Sequence, residues 1–589
     1  MAPKASRFLC QFCALARFDA ERGSTLDASV PDDLGLDPQS LAEQMIPDGL
    51  HDVKEDWTVA VRPVAQLRLG DIPERPEHVQ CKPVLPHAEP DEYIYILSTA
   101  RTALAPECPR GVYTAAIAIG TMHPHLSLFK PVMTLALDTY MRRRDRRVLR
   151  DMYESINRVD TSVLPCLSYS EKMRMRSECV WDAHTQHLRL RRQRSASSAG
   201  TSDTACGSGG TLDVDQSPLI GLMTTLFSST SAAHGRVSVP RKAKRHSAPS
   251  AILALHRRRY QISGPRPHAR TLHADLSPLR FEQATIPMRV PLYLFPEEVG
   301  EYSLSQLLTM FGHARHALQG PMHPHLHSNG AYTHPLTVLF NALLSCKRVL
   351  LIGREAPARV VVEQVLAACA FASGCGAVLR GWISRAMPYA TLADVDKLAS
   401  MRGFVAGTKN PRMAELDMWD VLCDCDTGSI TVSRTIAQPS IPESAEVRAL
   451  WMRQGLIQYD RQRATYLWVM GDEHPHASDN LFMEAWLATV QQHASEAFVR
   501  YWCQMYVRQF VMHAAHHETV FYGCTQLALP GTEMPSQAGL SNADKARLRR
   551  MAMRFEGWRG TPSYRYFVAD LQQIRTLNVA GTATPFNVL

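Results

Sequence analysis

Fourteen cysteines and 24 histidines supply the first residues in this sequence that could do chemistry. Cys10 and Cys13 stand at C-x-x-C spacing, which can hold half of a zinc site or a redox pair. No second C-x-x-C follows. The pair also lies in an apolar run, Phe8 to Phe18, where strand alternation is expected to send the two side chains to opposite faces and into structural burial. Three His-Pro-His groups, at 123–125, 323–325 and 474–476, offer imidazole ligands, but each sits in a proline-bearing loop. Only the last has carboxylates beside it, Asp472 and Glu473, so exposed loop histidines are expected. Gly374-Cys375-Gly376 reads as a helix-ending glycine cluster. The sequence has no G-x-x-x-x-G-K-[ST] loop, no G-x-S-x-G elbow, no H-E-x-x-H pair and no kinase set, so phosphate cradling, acyl transfer and zinc hydrolysis lack their minimum parts. No covalent catalytic residue, cofactor or metal site is expected.

Charge marks a second group of residues. The formal net charge of +8 is modest for 589 residues, but its placement is uneven. Between 236 and 270 there is no Asp or Glu, while Arg241, Lys242, Lys244, Arg245, Arg257, Arg258 and Arg259 crowd the tract. A basic segment beside an anionic leaflet gains on the order of 1 kcal/mol per Lys or Arg, so peripheral contact with anionic membrane is expected here. Ser247, in Lys-Arg-His-Ser-Ala-Pro, has the context of a phosphorylation site. Phosphate there would add roughly two negative charges and weaken that pull. The run Arg142-Arg143-Arg144-Asp145-Arg146-Arg147 fits acidic lipid, a partner's acidic face or a solvated helix junction. No nucleic-acid partner is read from the charge pattern.

The elements that must position these residues fall into four segments. Residues 1–190 combine strand patterns at Trp57–Val61, Glu92–Leu97 and Val112–Ile119 with helices at Pro38–Met45, Pro131–Arg142 and Arg147–Asn157, which predicts an antiparallel sheet covered by helices. Residues 191–280 are rich in Ser, Gly and Arg and read as a disordered basic linker. Residues 281–437 alternate helix and strand: a helix opened by His334-Pro335, a strand Lys347–Ile352, a helix Val360–Ala372, a strand at Gly403–Gly407 and a hairpin at Val421–Val432. Residues 438–589 read as helical, with periodic apolar positions in Phe482–Val490 and Phe498–Met512. The fold class is α/β (α+β). No signal segment, lipidation box or run of 18 apolar residues is found, and the scattered cysteines fit a reducing, cytoplasmic compartment.

Three ordered blocks carry a resemblance. Upstream lie Leu15 to Leu26, Leu41 to His51 and Glu55-Asp56-Trp57-Thr58; centrally lie His334-Pro335-Leu336, Asn341 to Leu344, Leu350 to Gly353, Val365 to Ala370, Pro388-Tyr389, Gly403 to Gly407, Asn410-Pro411 and Trp419 to Asp424; downstream lie Phe521-Tyr522-Gly523 and Glu556 to Thr561. Together they resemble the DENN module, most closely its fungal branch of Arf-interacting docking and polarity-axis stabilisation proteins. Thr408-Lys409 and Arg412 depart from that branch and put the local strand end in doubt. The resemblance implies a longin-like sheet domain, an α/β DENN core and a helical downstream domain acting on a small GTPase at the cell cortex in polarised growth and vesicle traffic. It implies docking of an Arf-type GTPase, or alternatively guanine-nucleotide exchange on a Rab, or a cortical scaffold without GTPase regulation. Asp19, Pro388, Asn410 and Pro411 are the partner-binding candidates it marks, with Trp57 and Trp419 as core anchors.

Overall fold

The computed structural model describes residues 9–50, 53–63, 93–161 apart from 107, 109 and 110, isolated positions between 163 and 176, and then 272–312 apart from 296, 318–439, 441–469, 477–527 and 542–579. The apolar run near the start forms β1 (Phe12–Asp19), which turns into β2 (Gly23–Val30). After α1 (Pro38–Met45) come β3 (Glu55–Pro63), β4 (Tyr93–Leu104) and β5 (Val112–Thr121), then α2 (Lys130–Arg143) and α3 (Arg147–Asn157). The five strands make an antiparallel sheet in the order β2-β1-β5-β4-β3. Its inner residues are apolar on both faces because both are covered. Leu15, Val59, Val61, Ile117 and Ile119 share one buried cluster with α2, α3 and a later helix at Ala358–Ser373, while Ala14, Ala16, Ala60, Ile94 and Ile96 meet α1.

Cys10 corrects the alternation expected of it. Pairing begins at Phe12, so Cys10 lies ahead of the strand and its Sγ comes to 3.6 Å from Cys13 Sγ on one buried face. Burial pushes the Cys13 thiol well above its ordinary range, which makes it a packing group.

A second lobe opens with short strands β6 (His273–Asp275), β7 (Leu279–Phe281), β8 (Ala284–Ile286) and β9 (Arg289–Pro291), within and just after the last residues assigned to the linker. It continues with α4 (Leu304–Gly312), β10 (Leu318–Gln319), α5 (Pro335–Leu344), β11 (Arg348–Ile352) and α6 (Ala358–Ser373). Next come β12 (Ala386–Met387), α7 (Val395–Ser400), β13 (Phe404–Thr408), α8 (Arg412–Glu415), β14 (Val421–Asp424) and β15 (Ile430–Val432). The mixed sheet has the order β10-β15-β14-β11-β13-β12, with only β14–β15 antiparallel. β13 pairs with β11 from Phe404 to Thr408, so the Thr408-Lys409 departure leaves the strand end intact. α6 is buried along most of its length because it is the central helix, touching β3, β13, α4, α5 and the later helix Glu496–Tyr522.

The downstream region holds α9 (Ala445–Arg453), α10 (Ser478–Gln491), α11 (Glu496–Tyr522), α12 (Asn542–Arg559) and α13 (Pro562–Val579). The expectation of helix alone fails at β16 (Ile457–Asp460) and β17 (Thr465–Trp468), an antiparallel hairpin. Ala464 takes the left-handed backbone at its turn, Tyr459 meets Tyr466 edge-on, and Trp468 packs on Trp451. One buried apolar cluster runs from Leu9 to Leu571 and unites all three regions.

The His-Pro-His expectation is also corrected. His123, His323 and His325 are buried, and the group at 474–476 lies outside the described residues. His323 is held by its Nε2 against the Ser433 carbonyl at 2.9 Å, and the loop is tied down where Asn341 donates to the Leu326 carbonyl at 2.7 Å. Among the described residues no group of three His, Cys, Asp or Glu side chains is arranged to hold a metal ion, and no helix is long and apolar enough to cross a membrane. The basic candidates Arg241, Lys242, Lys244, Arg245, Arg257, Arg258 and Arg259, with Ser247, lie outside the described residues. The chain on either side of 177–271 is tied to one segment, since Lys172 donates to the Leu294 carbonyl and Leu292 N–H to the Leu272 carbonyl.

Candidate docking seam between the first two lobes

β3 is the edge of the first sheet and β12 the edge of the second, and they lie against each other with the start of α6. An edge strand left open recruits other chains. Here it is closed by side chains that cross from lobe to lobe.

Asp56, near the start of β3, does what no residue local to α6 does. Pro357 precedes α6 without a capping side chain, and Asp56 instead accepts Ala358 N–H at 2.6 Å on Oδ2 and Arg359 N–H at 3.0 Å on Oδ1. A carboxylate at a helix N-terminus satisfies orphan donors and meets the positive end of the helix dipole. Lys409, from just past β13, donates to the Ala356 carbonyl at 2.7 Å and so holds the same turn from the other side.

Farther along, the last turn of α1 is tied down from within its own lobe, with Thr58 donating to the Gln44 carbonyl at 2.7 Å and Ser98 to that of Met45 at 3.1 Å. This presents the Gln44 side chain to the second lobe, where its Nε2 donates to Asp394 Oδ2 at 3.1 Å. Asp394 is fixed in turn by a capping box with Thr391 and by Arg62 at 3.5 Å. Burial draws the Arg62 guanidinium below its ordinary value, and Asp394 opposes that shift. Asp48 N–H donates to the Tyr389 hydroxyl at 2.9 Å, and the Asp48 carboxylate is hydrogen-bonded by Asn410. Gly407 allows the close approach beneath: a Cβ there would lie 2.5 Å from the Pro388 carbonyl oxygen.

The Gln44, Asp394 and Arg62 contacts lie in a cleft of about 300 Å³. Asp37, Gln44, Arg62, Asp394 and Lys397 line it, with Leu36 and Leu41 as its apolar wall. Burial lowers the Lys397 ammonium from its usual value, and the neighbouring Arg62 adds to that. Leu392 and Leu416 are exposed apolar side chains of the same lobe, and Pro411 and Arg412 are exposed at the start of α8. The arrangement offers a polar, charged groove with a partly apolar rim. Within it Asp37 caps α1, and Asp394 is engaged by Gln44, Thr391 and Arg62, so these polar groups are held in fixed places.

The four residues marked from the sequence divide. Asn410 stands at the seam, Pro411 opens α8 on its rim, and Pro388 is buried below it. Asp19 is brought to none of them. It ends β1 at the far side of the first sheet and accepts Glu21 and Arg22 N–H bonds that hold its carboxyl below the ordinary range, as a turn-forming aspartate does. Trp57 is half-buried with Lys130 5.1 Å from its ring centre, and Trp419 donates to the Ala414 carbonyl. Asp56, Gln44, Arg62, Tyr389 and Asp394 were not marked. Only the capping box Thr391-x-x-Asp394 leaves a local signature; the other partners are distant in sequence.

Comparison with known proteins adds a second view of the seam. Residues 12–62 match the sequence family described as "Docking domain of Afi1 for Arf3 in vesicle trafficking". Residues 322–434 match the one described as "Stabilization of polarity axis". The chain is also 23% identical over 560 residues to an AFI1-like protein of Schizosaccharomyces pombe, a match covering 93% of this chain and 78% of the relative. The first matched segment contains Gln44, Asp48, Asp56 and Arg62; the second contains Ala358, Tyr389, Asp394 and Asn410.

Proposed function

We propose that this chain docks an Arf-type small GTPase across the seam and acts in polarised growth and vesicle traffic. One observation carries the reading: the two segments with separate likenesses, one to an Arf-docking domain and one to a polarity-axis family, are joined by direct hydrogen bonds along one seam that holds a cleft. The strand and helix order of the first lobe, β-β-α-β-β-β-α-α, followed by an α/β lobe and a mainly helical one, supports the finer reading of longin-type and DENN-type parts.

Such work needs no acid–base pair. A docking protein binds the loaded GTPase, whereas an exchange factor must prefer the nucleotide-free arrangement and shifts the population by that difference in affinity. The seam is pinned by hydrogen bonds from both lobes, which favours a preformed platform over one remodelled on binding.

The test is a binding screen of the full chain against Arf and Rab GTPases in nucleotide-free, GDP and GTP forms, run beside release of labelled GDP. Retention of a loaded Arf-type GTPase with unchanged GDP release is expected. Faster GDP release from a Rab would move the reading to an exchange factor. Failure to bind any form would leave the cortical scaffold.

A further inference from the structure

The end of the first sheet remote from the cleft gathers charge that the docking reading does not use. α2 stops where Arg144 adopts the left-handed backbone, and α3 begins three residues later, so Arg142, Arg143, Arg144, Arg146, Arg147 and Arg150 crowd one corner, all exposed. The corner is braced. The Arg144 guanidinium lies 3.2 Å from the centre of the Tyr113 ring, and the Tyr113 hydroxyl meets that of Tyr140 at 3.0 Å.

Partners account for only part of the charge. Arg146 makes two hydrogen bonds to Asp27, which Arg17 also approaches, and Arg143 reaches Glu282 on the β7–β8 turn. Asp145 accepts the backbone N–H of Arg147. Arg142, Arg147 and Arg150 have no ion pair or side-chain hydrogen bond among the described residues. Beside them the same end of the sheet projects apolar groups. Leu104, one residue past the partner of Tyr113 in the β4–β5 ladder, is 89% exposed, and Phe18 on β1 is 37% exposed.

We infer that this corner is a peripheral membrane-binding surface that takes the headgroups of anionic phospholipids, with Leu104 entering the headgroup–acyl boundary. Unpaired arginines supply the attraction to a negatively charged leaflet, and a projecting leucine adds apolar burial at the interface. A protein partner is the weaker fit, because a protein interface has a contiguous apolar centre, and Leu104 and Phe18 stand as separate projections. Placed at the strand end opposite Arg62 and the cleft, the corner leaves that cleft open while the protein rests on a membrane.

The experiment is co-sedimentation of the full chain with phosphatidylcholine vesicles, with and without phosphatidylserine, over a salt series. Binding is expected only with phosphatidylserine and is expected to weaken as salt rises. Each unpaired arginine contributes about fivefold in affinity at low salt, so the triple variant Arg142→Ala, Arg147→Ala, Arg150→Ala loses about a hundredfold. The triple lysine variant keeps most binding, and Leu104→Ser weakens it at every salt concentration. Thermal melts of the variants confirm folding. Equal binding to both vesicle types overturns the inference, as does a triple alanine variant that binds like the parent. Capture of polyglutamate through the same arginines without vesicle binding overturns it in favour of an acidic protein partner.

Discussion

Asp56 shows how much can depend on one carboxylate. It lies in the first lobe and caps the central helix of the second, so its loss strips the buried Ala358 N–H of its acceptor as well as removing a link between lobes. Asp56→Ala is expected to lower unfolding free energy by about 2 kcal/mol, within the range for a lost cap and a buried unsatisfied donor, while Asp56→Asn keeps an acceptor and costs about half as much. Urea titration of the three proteins checks this. Gly407 gives a second case. Alanine would press its Cβ against the Pro388 carbonyl, Val361 and Val365, so Gly407→Ala is expected to cost on the order of 1–3 kcal/mol as overpacking, visible as a lower urea midpoint. The sequence reading marked Asn410 for its neighbourhood and passed over Asp56, because a cap supplied from 302 residues away has no pattern in the capped helix.

At the scale of elements, the strands and helices of the first two lobes were largely legible. Pro38 in the first turn of α1, the left-handed Gly374 closing α6 and Gly428 turning the β14–β15 hairpin each act through local backbone chemistry. Where tertiary packing decided, the reading failed. The β16–β17 hairpin exists because Trp451 receives Trp468, and the loop carrying His323, His325 and His327 is drawn inward onto Ser433 and Asn341.

That burial has a pH consequence. Desolvation lowers His325 to about 2 and His327 to about 4, and lowers His323 as well, with Lys347 adding to the effect at His323 and His325. The unfolded chain binds protons near the ordinary histidine value of about 6.5, above the folded values, so protonation favours unfolding. Stability is therefore expected to be whole above about pH 6.5, to fall as pH drops toward 4, and to keep falling below that through His325. Both ring nitrogens of His325 lack hydrogen-bond partners among the described residues. His325→Leu is thus expected to shallow the acid limb of urea midpoint against pH without a penalty at pH 7; an unchanged limb would place the acid sensitivity elsewhere.

On the scale of the whole molecule, the three regions share one buried cluster, so the divisions read from composition do not mark separate cores. Two-state unfolding is then expected, with tryptophan fluorescence and far-ultraviolet circular dichroism giving one midpoint in urea; two separated midpoints would show independent lobes. The shared core also favours docking on a preformed surface, since Asp56, Gln44 and Asp48 of the first lobe are bonded to Ala358, Asp394 and Tyr389 of the second. The exposed Leu392 and Arg412 are the positions at which that surface can be altered without touching the hydrogen bonds that hold it. The decisive measurement is the affinity of the full chain for a GTP-loaded Arf-type GTPase, compared with that of Leu392→Glu and Arg412→Glu. The account predicts binding by the parent and a loss of about tenfold or more in each variant with unchanged thermal melts; equal affinities across the three proteins, or no binding by the parent, would contradict it.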